Sequence, residues 1–298
     1  MQEAFLRVHA REAHLAGFSG HGIGVAVLDT GIFPHVDLKN RLAVFQNMLD
    51  SRRYPFDDCG HGTHVAGIIG GDGRQSGGYY RGIAPGCHLA GIKVLDNSGD
   101  GNADDMIAGL QWIQEHYRRY NIRIVNISAG AQKKSMCTEA SEMIRKVEAL
   151  WDEGLVIVAA AGNDGPGEGT VTAPGVSRKI ITVGCPDGPL PATVPGKVRE
   201  HHSGRGPTAE CIMKPEVVAP GTVISCRVCP RPGTPSYISK SGTSMAAPIV
   251  SGAIALLLEK EPELTNVQIK LRLRESCIKK EAYPGWGMLH IGRLLALE

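Results

Sequence analysis

No stretch of this chain is apolar for long enough to cross a bilayer. The longest apolar helical run, residues 249–258, falls well short of the ~20 residues that a spanning helix needs. Neither sign of charge dominates. The 32 basic and 30 acidic residues leave a formal net charge of +2, so there is no electrostatic case for nucleic acid or an anionic membrane as a partner. The N-terminal segment lacks the apolar core of a secretory signal. There is no internal repeat. Three Pro/Gly-rich stretches, residues 164–169, 186–196 and 230–235, read as loops too short to link domains. A single domain over residues 1–298 is expected, with residues 1–20 as a lead-in.

What is present is enough for a sizeable core: 42% of the 298 residues are apolar and only 21% are charged. The eight cysteines are even in number, as disulfides require. Without a signal, and in a chain long enough to fold on its core, they read as reduced thiols, and the expected location is cytoplasmic. Cys226 and Cys229 form a C-x-x-C pair, but no second pair stands at matching spacing, which argues against a zinc or redox site. His201-His202 falls in a polar segment and is expected to be exposed.

Short, nearly all-apolar runs at residues 23–28, 88–95, 122–127, 155–161 and 180–184 read as strands buried on both faces. Amphipathic runs at 103–120 and 138–151 carry apolar residues at helical spacing. Residues 243–260 are apolar nearly all round, the pattern of a central buried helix. This alternation predicts an α/β fold with three layers, a mostly parallel central sheet between helices.

Three motifs carry chemistry. Val27-Leu28-Asp29-Thr30-Gly31 puts an aspartate at the end of a strand-like run. His61-Gly62-Thr63-His64-Val65-Ala66-Gly67 and Ser241-Gly242-Thr243-Ser244-Met245-Ala246-Ala247-Pro248 each place a reactive side chain among small residues, ahead of an apolar helical run. Peptide hydrolysis needs a nucleophile, a base, an orienter for the base and donors for the oxyanion. Ser244, His61 and Asp29 suit the first three roles. Singly, each has a plain structural reading as a cap or turn residue. Together, in the order Asp, His, Ser, they match a known triad order. His64 follows His61 by three residues, but no carboxylate or cysteine set accompanies the pair at ligand spacing, so packing or hydrogen bonding is assigned to it.

At these residues the chain resembles the subtilisin-like serine proteases, the subtilases, from about Gly17 to Leu294. The segments Ser203-Gly204-Arg205-Gly206-Pro207-Thr208 and Lys214-Pro215-Glu216-Val217-Val218-Ala219-Pro220-Gly221 resemble the intracellular alkaline-protease branch. The resemblance implies a serine endopeptidase of subtilisin-like fold acting on peptide or protein substrates. It places the oxyanion-hole amide at Asn163, which ends the run Val158-Ala159-Ala160-Ala161-Gly162. It implies that Ser128-Ala129-Gly130 pairs with substrate backbone as an added strand, with Asp100-Gly101 as the opposite rail. Gly162 and Thr172 fall in the region of the S1 pocket, and Asp164 at its rim. Asp96, Asp100, Asp104 and Asp105 cluster near one rail, where a solvated helix start accounts for them as well as a preference for basic substrates does.

Two departures from the family stand out. Relatives bind structural calcium through a loop after the helix of the catalytic histidine. Here residues 70–80 are Gly-rich with one acid, and Asp37 alone matches a family ligand. No cofactor is expected to be required for the chemistry, and calcium lacks a clear ligand loop. The roughly twenty residues before the first strand are too few for the prodomain that most relatives carry. No motif speaks to metal content or oligomeric state. Two rival readings are a dedicated precursor- or leader-maturation protease and a peptide-binding pseudoprotease. The intact Asp29, His61, Asn163 and Ser244 argue against the second.

Overall fold

The apolar runs pair as parallel strands because each is flanked by helices that return the chain to the same edge. The computed structural model describes residues 1–128, 137–186, 202–229, 233–279 and 284–298, with side chains throughout except at 137–140. Seven strands form the sheet: β1 (Gly24–Asp29), β2 (Leu42–Asn47), β3 (His88–Lys93), β4 (Ile122–Ile127), β5 (Val156–Ala160), β6 (Ile181–Gly184) and β7 (Val217–Val218). Their order is β2-β3-β1-β4-β5-β6-β7, and every pairing is parallel. A separate antiparallel ribbon joins β8 (Thr222–Cys226) to β9 (Tyr237–Ser241).

Residue alternation along β1 assigns the faces. Asp29 looks toward α3 (His61–Gly70), since a Cβ on Gly62 would stand 3.0 Å from the Asp29 Cβ. Leu28 looks the other way, toward Gly109 of α4 (Ala103–His116). α5 (Cys137–Asp152) packs beside α4, and α6 (Thr243–Lys260) packs beside α3. β1, β5 and β6 are buried along their whole lengths, as expected for strands covered on both faces. The expected mostly parallel, three-layer α/β architecture is therefore observed.

Five expected strands and three expected helices are present, with ends shifted by at most four residues. Eight elements had weaker signals, among them α7 (Asn266–Ser276). β2 has mixed burial and β7 only two residues. α1 (Gln2–Arg7) and α2 (Ala10–Leu15) are six-residue helices packed on each other and, through α2, on the C-terminal α8 (Ile291–Leu294). β8 and β9 lie around a loop region that the composition marked only as a turn.

One expectation is corrected. The apolar run at 249–258 belongs to an 18-residue helix, α6, which by length and composition could span a membrane. It is 83% buried in the core, so burial against the sheet accounts for its apolar surface. It is a core helix.

Candidate active site

β1 is the strand from which the sheet order runs both ways, with β3 on one side and β4 on the other. Crevices at such switch points open at the carboxyl ends of the strands. Asp29 is the last residue of β1, Ser128 follows β4 directly, and Asn163 lies three residues beyond β5.

His61 opens α3, and its Nδ1 donates to Asp29 Oδ1 at 2.7 Å, with Oδ2 at 2.9 Å. Asp29 is fully buried, while the His61 side chain keeps 25% exposure. Burial by itself would lower the pKa of His61. The charge of Asp29 and its hydrogen bond outweigh that and hold the pKa above the ordinary 6.5.

A carboxylate that the motifs did not single out sets this helix start. Asp57 is buried, and its Oδ1 accepts from Thr30 Oγ1 (2.9 Å), Cys59 N (3.1 Å) and Gly60 N (2.7 Å). Its Oδ2 accepts from Thr63 N (2.9 Å) and Thr63 Oγ1 (2.6 Å). These bonds satisfy first-turn donors that a helix leaves unpaired. They also tie α3 to Thr30, whose hydroxyl accepts from Gly62 N at 2.9 Å. Lys93 ends β3 beside Asp29. It is buried, and its Nζ donates at 2.7 Å to Thr30 O, Leu95 O and Asp58 Oδ1. A D-x-x-G-H spacing before the histidine was the available signal for Asp57. Nothing local marked Lys93.

Ser244 is the second residue of α6, partly exposed among buried neighbours. Its hydroxyl donates to the carbonyl of Ser128 at 2.7 Å. No hydrogen bond joins it to His61 among the described residues; such contacts are often loose without substrate. Gly242, before the helix, has φ +139°, which a side chain would strain, and a Cβ there would stand 3.3 Å from the Asn163 amide. Asn163 Oδ1 accepts from Thr243 N (3.0 Å) and Thr243 Oγ1 (3.2 Å). A backbone N–H can only donate, so the Asn163 NH2 is turned away from Thr243. The first-turn N–H groups of α6 favour negative charge in the same place.

The candidate substrate residues fall around these groups. Ser128 is buried, and Ala129 and Gly130 lie outside the described residues. Asp100 and Gly101 are exposed. Their loop borders the histidine, because a Cβ on Gly99 would lie 3.7 Å from Cys59 Sγ. Gly162 has φ +90°, and a Cβ there would meet Thr172 Oγ1 at 2.6 Å. Within the acidic cluster, Asp96 Oδ1 accepts from Ser98 N (2.8 Å) and Asp100 N (3.0 Å). Asp105 pairs with Asn102, the cap of α4. Two of the four acids therefore have structural tasks.

The packing sets the surroundings of several cysteines and histidines. His64 is buried, its Nε2 faces the Ile238 carbonyl at 3.0 Å, and burial pulls its pKa down to about 3. That is a neutral, hydrogen-bonded histidine. His202, expected to be exposed, is buried with its Nε2 3.2 Å from Cys185 Sγ; its partner His201 lies outside the described residues. Burial also raises the pKa of Cys59 above 9.0, helped by the charges of Asp57 and Asp29, so proximity to His61 does not make it a thiolate. Cys229 bonds to the carbonyls of Arg227 and Pro235, while Cys226 faces Asp37, so the two do not act as a pair.

Asp37, the single match to a family calcium ligand, is also accounted for. Its Oδ1 accepts from Gln75 N at 2.8 Å and its Oδ2 from the Tyr237 hydroxyl at 2.7 Å. The one acid of the following loop, Asp72, accepts from Arg74 N at 2.9 Å. With imidazole and thiol as its other close neighbours, this donor set does not fit calcium, which takes oxygen ligands.

A model of the subtilase family (peptidase S8) matches residues 20–287. The chain is 39% identical over 289 residues to serine protease AprX of Bacillus subtilis (strain 168), covering 91% of this chain and 65% of AprX. It is 33% identical over 270 residues to subtilisin Savinase of Lederbergia lenta, covering 91% and 88%. Among solved structures, Sphericase superposes with a TM-score of 0.73 at 30% identity, covering 91% of this chain and 92% of its own. The S41 psychrophilic protease does so with 0.74 at 29% identity and the same coverage. The parallel sheet and the match over residues 20–287 agree: this chain belongs to the subtilase family.

Proposed function

We propose that this protein is a serine endopeptidase in which Ser244 is the nucleophile, His61 the general base and Asp29 its orienter. The observation that carries the reading is the hydrogen bond from His61 Nδ1 to the fully buried Asp29, at the carboxyl ends of the strands, where Ser244 meets Ser128 just past β4. With Nδ1 donating to Asp29, the neutral ring offers its Nε2 lone pair to a serine proton.

In this reading the Ser244 hydroxyl leaves the Ser128 carbonyl and gives its proton to His61 as Oγ bonds to the substrate carbonyl carbon. The oxyanion is met by the Asn163 NH2 and by backbone N–H at the start of α6. The imidazolium, stabilised by Asp29, then protonates the leaving amine as the C–N bond breaks. Water repeats the sequence through the same base and releases the acid and free Ser244. All groups used are side-chain or backbone groups of this chain, so no cofactor is required for the steps.

Substrate backbone binds between Asp100-Gly101 and Ser128-Ala129-Gly130, with Gly162 and Thr172 at the S1 pocket. Main-chain pairing of this kind is tolerant of sequence. The seven cysteines with described side chains are free thiols, which supports a reducing, cytoplasmic location. The partners are peptides or proteins, with no role for nucleic acid or membrane.

The test is Ser244→Ala. We expect kcat to fall on the order of 10⁶-fold, the scale for a triad serine, with an unchanged circular dichroism spectrum. A fluorophosphonate should label the unaltered protein at Ser244 and fail on the variant. Labelling at another serine, or a variant as active as the parent, overturns the assignment.

A further inference from the structure

Away from Ser244, three residues from distant parts of the chain converge in the interior. His35, Asp37 and Cys226 are 3%, 0% and 1% exposed. A ring nitrogen of His35, an Asp37 carboxylate oxygen and Cys226 Sγ all lie within 4.8 Å of one another. Asp37 Oδ2 is 3.9 Å from Nδ1 and 3.8 Å from Sγ. A tetrahedral zinc with bonds of about 2.0 Å to N and O and about 2.3 Å to S sets its ligands slightly closer than that. Small side-chain rotations would close the gap.

The imidazole is set for metal. His35 Nε2 stands 3.0 Å from the carbonyl of Ser236, which can only accept, so the ring proton is on Nε2. Nδ1 then carries the lone pair, which accepts the Asp37 N–H at 3.1 Å and would exchange that bond for one to the metal. A metal-binding histidine commonly has its other nitrogen tied to a carbonyl in this way. The carboxylate is also held from outside, by the Tyr237 hydroxyl and the Gln75 N–H. Asp37 has no lysine or arginine partner among the described residues. A buried carboxylate without a cation is costly. A divalent ion bound by Asp37 and a Cys226 thiolate would leave the group neutral.

We propose that His35, Asp37 and Cys226 form a buried binding site for zinc or a similar borderline divalent cation. The donor set of one nitrogen, one oxygen and one sulfur selects such an ion over calcium or magnesium. Binding breaks the Cys226 S–H bond, forms a sulfur–metal bond and releases one proton to solvent, with no change of oxidation state. The sulfur rests on α3, where a Cβ at Gly67 would lie 2.7 Å from it. The ion would thus clip the segment after β1 to β8, underneath the helix that begins at His61, and its effect is on stability.

Cobalt titration of the full chain tests this, in a Ser244→Ala background to prevent self-cleavage. One equivalent of Co²⁺ should produce a thiolate-to-cobalt charge-transfer band and tetrahedral visible bands. Zinc should then displace both, and zinc should raise the melting temperature. Cys226→Ala should abolish the band and the rise, while Cys229→Ala keeps both. If Cys226→Ala fails to fold by circular dichroism, His35→Gln takes its place with the same expectation. No saturable band at one equivalent, or a band that survives either folded substitution, overturns the proposal.

Discussion

Asp29, with no exposed surface, presents both carboxylate oxygens to His61 Nδ1, at 2.7 and 2.9 Å. The pair raises the pKa of His61 above 6.5 against the opposing effect of burial. A general base works only when neutral. Activity should therefore fall as pH drops through this raised value, with the midpoint of the acid limb above 6.5. Asp29→Asn removes the charge that raises it, so the limb should move to lower pH while kcat falls about 10⁴-fold. A pH profile of kcat/KM measures both. An acid limb identical in the two proteins would mean that another group controls it.

Asn163 receives two donors from Thr243 on its Oδ1, which turns its NH2 away from Thr243. Asn163→Ala should lower kcat by about 10²–10³-fold with KM nearly constant, because the bond forms mainly in the transition state. Steady-state kinetics on a peptide amide decides. A change confined to KM would assign Asn163 to ground-state binding.

Gly62→Ala ought to help a helix, by roughly 1 kcal/mol on propensity alone. Here the new Cβ would stand 2.1 Å from the Gly31 carbonyl oxygen and 3.0 Å from the Asp29 Cβ. Overlap with fixed backbone should reverse the sign and destabilise by about 1–3 kcal/mol. It should also slow fluorophosphonate labelling of Ser244 by shifting the Asp29–His61 pair. Urea unfolding and labelling rates report the two effects; a stabilised variant labelled at the parent rate would refute both.

Away from the site, Glu216 neutralises a buried lysine. Lys214 Nζ lies 2.6 Å from Glu216 Oε1 and is 1% exposed. Burial, only partly offset by Glu216, brings the pKa of Lys214 down to about 8. Glu216→Ala leaves that cation unpaired and also removes the acceptor of Thr182 N. The expected cost is about 3–5 kcal/mol in urea unfolding at neutral pH. The unfolded chain keeps the lysine proton to the ordinary value of 10.5, while the folded one releases it near 8. The parent should therefore gain stability from this group as pH rises between those values. A loss for Glu216→Ala no larger than an ordinary surface change, about 0.5 kcal/mol, would show that the pair is idle.

The sequence by itself determined the elements whose signals are local. β4 and α6 run over the expected residues because apolar period and flanking small residues act within a few positions. The same locality marked Asp29, His61, Asn163 and Ser244 as candidates, each at or just past the end of a strand or at the start of a helix. Tertiary structure decided the rest. β2, β8 and β9 are mixed in burial, and their pairing depends on partners far along the chain. Asp57 and Lys93 read as ordinary charged residues until the register Asp29↔Lys93 and the start of α3 enclose them. Cys226 was paired with Cys229 by spacing, yet it faces Asp37, 189 residues away. His202 was expected in solvent and lies against Cys185. For Lys93, Cys226 and His202 the neighbour is set by how distant segments pack, and a local pattern carries no record of that packing.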